Sequence, residues 1–141
     1  MNADYKPKNM PGLIPYMTVQ DAAKAIEFYK NAFGFEEVGV SYDDNKKPVH
    51  VEMRLHDALI MFAPEGVYGM DNKSPIGSGI KAMPLNLYVY CKDVDALYDK
   101  AIKAGAKSKM APNDGFWGDR YCALVDPDGY EWSFATHLGR S

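Results

Sequence analysis

The chain has 141 residues, 47% of them apolar, which is enough for one hydrophobic core and too few for two. Its 16 basic and 19 acidic residues are scattered without a basic block, which argues against binding to nucleic acid or to an anionic membrane surface. Residues 1–9 are polar, and no stretch approaches the roughly 20 apolar residues of a membrane span. Cys91 and Cys122 lack the spacing of a metal-binding or disulfide motif, so we expect both thiols to be reduced. Together, these features predict a single cytoplasmic domain.

The first half of the chain predicts a strand, a helix and three further strands. Leu13–Val19 is β-prone, and Asp21 follows it as the N-cap of a helix over 22–33, whose apolar residues have helical spacing. Gly34 ends that helix. Polar turns then separate three predicted strands, at 36–42, 50–55 and 58–63.

The second half repeats this pattern after an interruption. Residues 64–82 contain four glycines and two prolines without hydrophobic periodicity, so we expect a long loop. A strand over 84–91 follows, and Asp93 is then the N-cap of a helix over 94–104 that Gly105 ends. The remaining predicted elements are a short strand at 107–110, a loop at 111–119, a strand at 120–125, a turn at 126–129 and a strand at 130–136.

The agreement between the halves indicates an internal repeat. We expect a single domain over 1–141, with one repeat at about 12–63, a linker loop at 64–82 and a second repeat at about 83–137. One helix and about four strands in each half predict an α+β fold. In such a fold helices cover one face of a mixed sheet and leave the other face open to curve around a ligand.

Two strands show which face would bind that ligand. Along 85–91, an unbroken apolar face that we expect to lie under the helices consists of Leu85, Leu87, Val89 and Cys91. The other face is polar and aromatic and consists of Asn86, Tyr88 and Tyr90. On the strand at 50–55 the polar face carries His50, Glu52 and Arg54. We expect these polar faces to line a binding surface, although solvent exposure alone also produces such alternation.

Three segments carry a resemblance to a known family. They are 15–21 with 25–35, 87–94, and 116–121 with the turn and strand at 126–133. With the repeat, they resemble the vicinal-oxygen-chelate superfamily of glyoxalases, bleomycin-resistance proteins and extradiol dioxygenases, and within it the PhnB-like branch. The resemblance implies paired βαβββ repeats whose sheets form an open cup, often completed in a homodimer.

Metal-dependent members of that superfamily hold a divalent ion with histidine and glutamate from four strand positions. Aligned on the shared motifs, these positions fall on Ile14, Met61, Asn86 and Ser133. Such side chains supply almost no charge to offset dehydration of the ion, so we expect no metal and no cofactor there. A register shift of one residue would bring in His50 or Glu131, which keeps open a metal-dependent lyase, isomerase or dioxygenase with displaced ligands.

The segment 116–121 is the most distinctive feature. Phe116 and Trp117 lie on a glycine-containing loop beside Arg120, a set able to stack a flat ligand and pair with its anionic group. The same aromatics are equally able to close the end of the cup or a dimer interface. His56 and His137 are predicted to be solvated.

The leading hypothesis is a non-metal protein of bleomycin-resistance type that sequesters an aromatic or anionic compound without transforming it. A dimeric interaction module, whose aromatic loop contacts a protein, is a further alternative. No catalytic residue is assigned. The predicted ligand-binding residues are His50, Glu52, Arg54, Asn86, Tyr88, Tyr90, Phe116, Trp117, Arg120, Tyr121 and Ser133.

Overall fold

The computed structural model describes residues 4–139 and contains two four-stranded mixed sheets. The strand order is β1-β4-β3-β2 in the first sheet and β5-β8-β7-β6 in the second, so the topology of one half repeats in the other. The predicted α+β class is confirmed. The strands are β1 (Tyr16–Val19), β2 (Glu36–Tyr42), β3 (Pro48–Leu55), β4 (Ala58–Pro64), β5 (Asn86–Tyr90), β6 (Lys107–Asp114), β7 (Asp119–Val125) and β8 (Glu131–His137).

The helices begin at the aspartates that the sequence indicates. The Asp21 side chain accepts a hydrogen bond from the Lys24 backbone at the start of α1 (Ala22–Phe28), which continues as a π-helical turn over Tyr29–Phe33. Asp93 caps α3 (Val94–Lys103) in the same way. Gly34 follows the π turn with φ = 83°, a left-handed conformation that glycine adopts without steric cost.

Both halves share one hydrophobic core. The aromatic rings of the π turn contact β-strands from both sheets. The ring centroid of Tyr29 lies 5.6 Å from that of Phe62 in β4, and the ring centroid of Phe33 lies 4.6 Å from that of Phe134 in β8. Trp132, which is 1% exposed, contacts both Tyr29 and Phe33. Because the first helix packs against the second sheet, neither half buries its apolar face alone.

A buried carboxylate joins the helical layer to the last two strands. Asp126 accepts hydrogen bonds from the Tyr29 hydroxyl at 2.6 Å and the Trp132 indole at 2.9 Å. Its other oxygen accepts from the backbone N–H groups of Asp128 and Tyr130 in the turn between β7 and β8. Burial raises the pKa of the Asp126 carboxyl, although these donors stabilise its charged form.

The same turn also fixes the first strand. The Asp128 carboxylate accepts from the backbone of Gln20 at 2.8 Å, and the Tyr130 hydroxyl bonds with both the N–H and the C=O of Thr18. These contacts span more than 100 residues of sequence. The turn between β7 and β8 therefore sets the relative position of the two sheets.

The predicted loop at 64–82 is wrong in part, because it contains a 3-10 turn (Val67–Gly69) and the short helix α2 (Pro75–Ser78). Ser74 caps α2, and the Glu65 carboxylate accepts from both the backbone and the hydroxyl of Ser74. Because α2 is short and is stabilised by capping, it has no hydrophobic periodicity from which the sequence could predict it.

The short strand predicted at 107–110 is also wrong in extent. β6 continues to Asp114 and leaves only 115–118 as a turn. It lies at the edge of its sheet and has irregular register beside Pro112, where the missing N–H of a proline is tolerated. Across residues 4–139, none of the helices has the length and apolar character to cross a membrane.

We predict that Asp126→Ala lowers the free energy of unfolding by roughly 3 kcal/mol or more, because it leaves three buried donors and one partly buried donor without their acceptor. Urea denaturation followed by circular dichroism measures the change. Asp44→Ala, in the exposed turn between β2 and β3, is the control and should have little effect. A loss of less than about 1 kcal/mol for Asp126→Ala would contradict the role given to this carboxylate.

Candidate functional site

The face of the second sheet opposite the core carries a continuous set of polar and aromatic side chains. Strand register places Tyr88 beside Ser133, Tyr90 beside Ala135, and Asp119 beside His137. The alternate residues of β8, Trp132 and Phe134, point into the core. The alternation predicted for β5 is thus continued by β7 and β8 on the open face.

Asp119 organises this face. Its Oδ2 accepts hydrogen bonds from the hydroxyls of Tyr88 at 2.7 Å and Tyr90 at 2.8 Å, and from the Trp117 indole at 3.1 Å. Its Oδ1 lies 3.1 Å from Nδ1 of His137. The Asp119 side chain is covered by these neighbours, although the cluster itself lies at the surface of the sheet.

The ionisation of the cluster follows from this geometry. Hydrogen bonds from Tyr88 and the other donors lower the pKa of Asp119 to about 2 against the opposing effect of burial. Burial and its hydrogen bond to Asp119 raise the pKa of Tyr88 to about 12, and a separate hydrogen bond from Tyr90 to Asp119 raises the pKa of Tyr90. At neutral pH the cluster therefore consists of one carboxylate and protonated phenols.

The aromatic residues of the predicted loop have different environments. Trp117 packs against Tyr121, with ring centroids 4.8 Å apart, and is 40% exposed, so it lies on the open face and not in the core. Phe116 is 94% exposed at the tip of the 115–118 turn and contacts Trp117 edge-on. We call Tyr88, Tyr90, Trp117, Tyr121 and the central Asp119 the aromatic surface.

Arg120 does not join the aromatic surface, which corrects the anion-pairing role predicted for it. It is adjacent to Asp119 in β7, and its side chain therefore points to the opposite face. There it makes a two-point ion pair with Asp95 of α3 and a further one with Asp114 of β6. Its guanidinium holds a helix against the sheet and is not directed at a ligand on the open face.

The predicted site residues of the first sheet form a separate group. The two ring nitrogens of His50 bond with the Tyr16 hydroxyl at 2.8 Å and the Glu52 carboxylate at 2.9 Å. Arg54 donates to the backbone carbonyl of Asn9. Burial raises the pKa of Tyr16, which favours a neutral phenol that donates to His50.

A small cavity lies at the seam between the sheets. Its volume is about 200 Å³, and Leu59, Leu87 and Tyr88 contribute to its largely apolar wall. Pockets for drug-sized compounds have volumes of roughly 300 to 1,000 Å³. The cavity suits a small apolar group at most. Wider depressions lie elsewhere, of about 890 Å³ beside Arg54 and His56 and about 460 Å³ beside Tyr68, so the aromatic surface is a candidate for its side chains and not for its volume.

The residues at the family's usual metal positions do not fit a divalent ion. Ile14 has no donor atom, Met61 offers a thioether, and Asn86 and Ser133 are neutral. Within residues 4–139 there is no group of three or more histidine, cysteine, aspartate or glutamate side chains arranged to hold a metal.

His50 and Glu131, the alternative metal ligands, are also poorly arranged to hold an ion together. Both nitrogens of His50 already have partners, and Glu131, on the other sheet, pairs with Lys109. Asn86 lies beside Glu131 at the exposed start of β5. We derive no chemical step through a metal at either set of residues.

Sequence reasoning missed three members of these clusters: Tyr16, Asp119 and His137. His137 is 60% exposed, as its predicted solvation requires, and it also contacts Asp119. Alternation along β8 indicates that Ser133 and His137 share a face. The residue opposite His137, Asp119, was predicted to lie in a loop, so the pair could not be recognised. The error in the length of that loop concealed the cluster.

Comparisons with known proteins agree with this architecture. Residues 13–134 match the model of the Glyoxalase/Bleomycin resistance protein/Dioxygenase superfamily. Uncharacterized proteins of Mycobacterium bovis and Mycobacterium tuberculosis are each 34% identical over 123 residues, which cover 87% of this chain and 81% and 72% of theirs.

Two solved structures illustrate the similarity in fold. TioX from Micromonospora sp. ML1 superposes with a TM-score of 0.71 at 20% identity, over 91% of this chain and 99% of that chain. A glyoxalase/bleomycin resistance protein/dioxygenase family enzyme from Burkholderia phytofirmans PsJN has a TM-score of 0.68 at 20% identity, over 89% and 97%. At these identities the likeness establishes the fold alone.

We predict that the stability difference between the native protein and Asp119→Asn shrinks as the pH falls from 5 towards 2. The folded-state pKa of Asp119 is about 2, below the ordinary 3.8, so its ionised form stabilises the fold above pH 4 and this contribution is lost on acidification. Urea denaturation at several pH values measures the difference, with Asp44→Asn as the control. A pH-independent difference for Asp119→Asn would contradict the assignment.

Proposed function

This chain belongs to the Glyoxalase/Bleomycin resistance protein/Dioxygenase superfamily, and we propose that it binds and sequesters a small aromatic compound on its aromatic surface without the usual metal. The segments at 25–35 and 126–133 support placing it in the PhnB-like branch. We also propose a cytoplasmic location, which the free thiols of Cys91 and Cys122 support because such thiols persist in a reducing compartment.

The observation that carries the proposal is the combination of exposure and order in the aromatic surface. Tyr88, Tyr90 and Trp117 are 42%, 56% and 40% exposed, yet one carboxylate holds all three. Large apolar side chains are usually buried, and those left exposed in a patch mark binding sites. Because the rings are already held in place, a flat ligand would lose little affinity to side-chain ordering.

The donor set favours binding over metal-assisted chemistry. Isoleucine, methionine, asparagine and serine at the four usual ligand positions give a divalent ion almost no charge. An enzyme built on His50 and Glu131 would have to break existing pairs on two different sheets. We therefore favour sequestration over a lyase, isomerase or dioxygenase, and over a module that only contacts proteins.

A homodimer would complete the site. Large apolar side chains are exposed in or just before the first strand of each sheet, including Leu13, Tyr16 and Leu85, and the superfamily resemblance implies a cup closed by a second copy. The small-molecule ligand and the second copy are thus the two proposed partners.

We predict that Trp117→Ala weakens binding of an aromatic probe by roughly 1 to 3 kcal/mol and leaves the fold intact, because its ring is a wall of the surface and not part of the core. Naphthylmethanol and its charged analogues, titrated by calorimetry, serve as probes. Tyr42→Ala removes an exposed aromatic residue from β2 and is the matched control.

Two results would count against this prediction. Unchanged probe affinity in Trp117→Ala would remove Trp117 from the site. Unfolding or loss of a dimer in Trp117→Ala, with unchanged affinity in the remaining folded protein, would give it the structural role instead.

We predict that the protein has twice its 15.7 kDa chain mass in solution at micromolar concentration. Size-exclusion chromatography with light scattering measures it. A monomer mass across that range would show that one chain forms the site alone.

A further inference from the structure

We propose that the ligand of the aromatic surface is an organic cation, such as an aromatic quaternary ammonium, bound against the tyrosine and tryptophan rings around Asp119. This inference rests on the proposed function and specifies its ligand class. It keeps the aromatic ligand predicted from the sequence and replaces the anionic alternative. Three features of the surface favour a cation: the direction of its hydrogen-bond donors, the position of its charges and the arrangement of its rings.

The donors of the surface are directed inward. The hydroxyls of Tyr88 and Tyr90 and the indole N–H of Trp117 all donate to Oδ2 of Asp119. An anion on the open face would therefore meet phenolic oxygens and ring faces in place of free donors. The Trp117 indole also lies 3.2 Å from the Tyr88 hydroxyl oxygen and shares its N–H with it, so the Tyr90 oxygen is the acceptor that remains open. A cation meets this acceptor, which becomes more negative because the Tyr90 O–H donates to a carboxylate.

The charge of the surface is negative. Hydrogen bonding holds the pKa of Asp119 near 2, so this carboxylate is ionised at any pH at which the protein would work. The neighbouring cations are committed elsewhere: Arg120 pairs with Asp95 on the other face, and Lys109 pairs with Glu131. His137 is the one titratable base in contact with Asp119 among the described residues, and its protonation would offset the negative charge.

The rings are arranged as walls. Tyr88 and Tyr90 meet at 73° with centroids 5.7 Å apart, and Trp117 and Tyr121 meet at 51° with centroids 4.8 Å apart. Non-parallel rings turn their faces in different directions, and an exposed electron-rich face attracts cations, including quaternary ammonium groups. Together with the inward donors and the fixed carboxylate, this geometry favours a cation over an anion of the same shape.

The test compares three probes of one shape and different charge: naphthylmethyl-trimethylammonium, naphthylmethanol and naphthylacetate. We expect the cation to bind at least about tenfold more tightly than the neutral probe, and the anion more weakly than both. Calorimetry at pH 8, at which histidine side chains are ordinarily neutral, measures the three affinities. Raising the salt concentration should weaken binding of the cation and leave that of naphthylmethanol unchanged.

Asp119→Asn should abolish the preference for the cation, while Glu37→Gln, an equal change of charge on exposed strand β2, should retain it. If Asp119→Asn fails to fold, the effect of salt on binding of the cationic probe by the native protein still tests the role of charge. Equal or tighter binding of the neutral or anionic probe would overturn the inference and leave the proposed function standing. Binding of none of the three would contradict the proposed function itself.

A second copy of the chain is the other occupant that this surface could have. If the cationic probe converts a dimer to monomers in light scattering, the surface is an interface between copies of the chain, and the proposal is overturned. Retention of the same mass with bound probe supports a ligand site.

Discussion

The carboxylate of Asp126 is the contact on which the arrangement of this molecule depends. It bonds with Tyr29 of the helical layer, with Trp132 of β8 and with the backbone of the turn that joins β7 to β8. Since that turn sets the pairing of the two strands, it also sets which residues face outward together. Asp119 and His137 lie opposite each other as a consequence of a register fixed at the other end of the strands.

A second carboxylate, Asp119, converts the outward face into a possible site. Four neighbouring side chains bond with it, and three of them are aromatic. Without this acceptor, exposed tyrosine and tryptophan side chains would sample several rotamers and would lose that freedom on binding a ligand. The same acceptor turns the donors inward, so one interaction accounts for both the order of the surface and its preference for positive charge.

Much of the fold could be predicted from the sequence because its signals are local. The N-caps Asp21 and Asp93, the alternation along 85–91 and the repeat of these features indicate the helices, the strands and the α+β class. Parts of the site could not be predicted, because they depend on pairing between distant segments. Asp119 lies in a strand because it pairs with His137 of β8, and the side chain of its neighbour Arg120 therefore points to the opposite face.

The most direct test of this account is a crystal structure of the protein with naphthylmethyl-trimethylammonium bound. We predict density for the naphthalene ring against Trp117, with the ammonium group facing Tyr88 and Tyr90, and with the Asp119 hydrogen bonds unchanged. Density confined to the seam cavity or the first sheet, with the aromatic surface empty, would contradict the account.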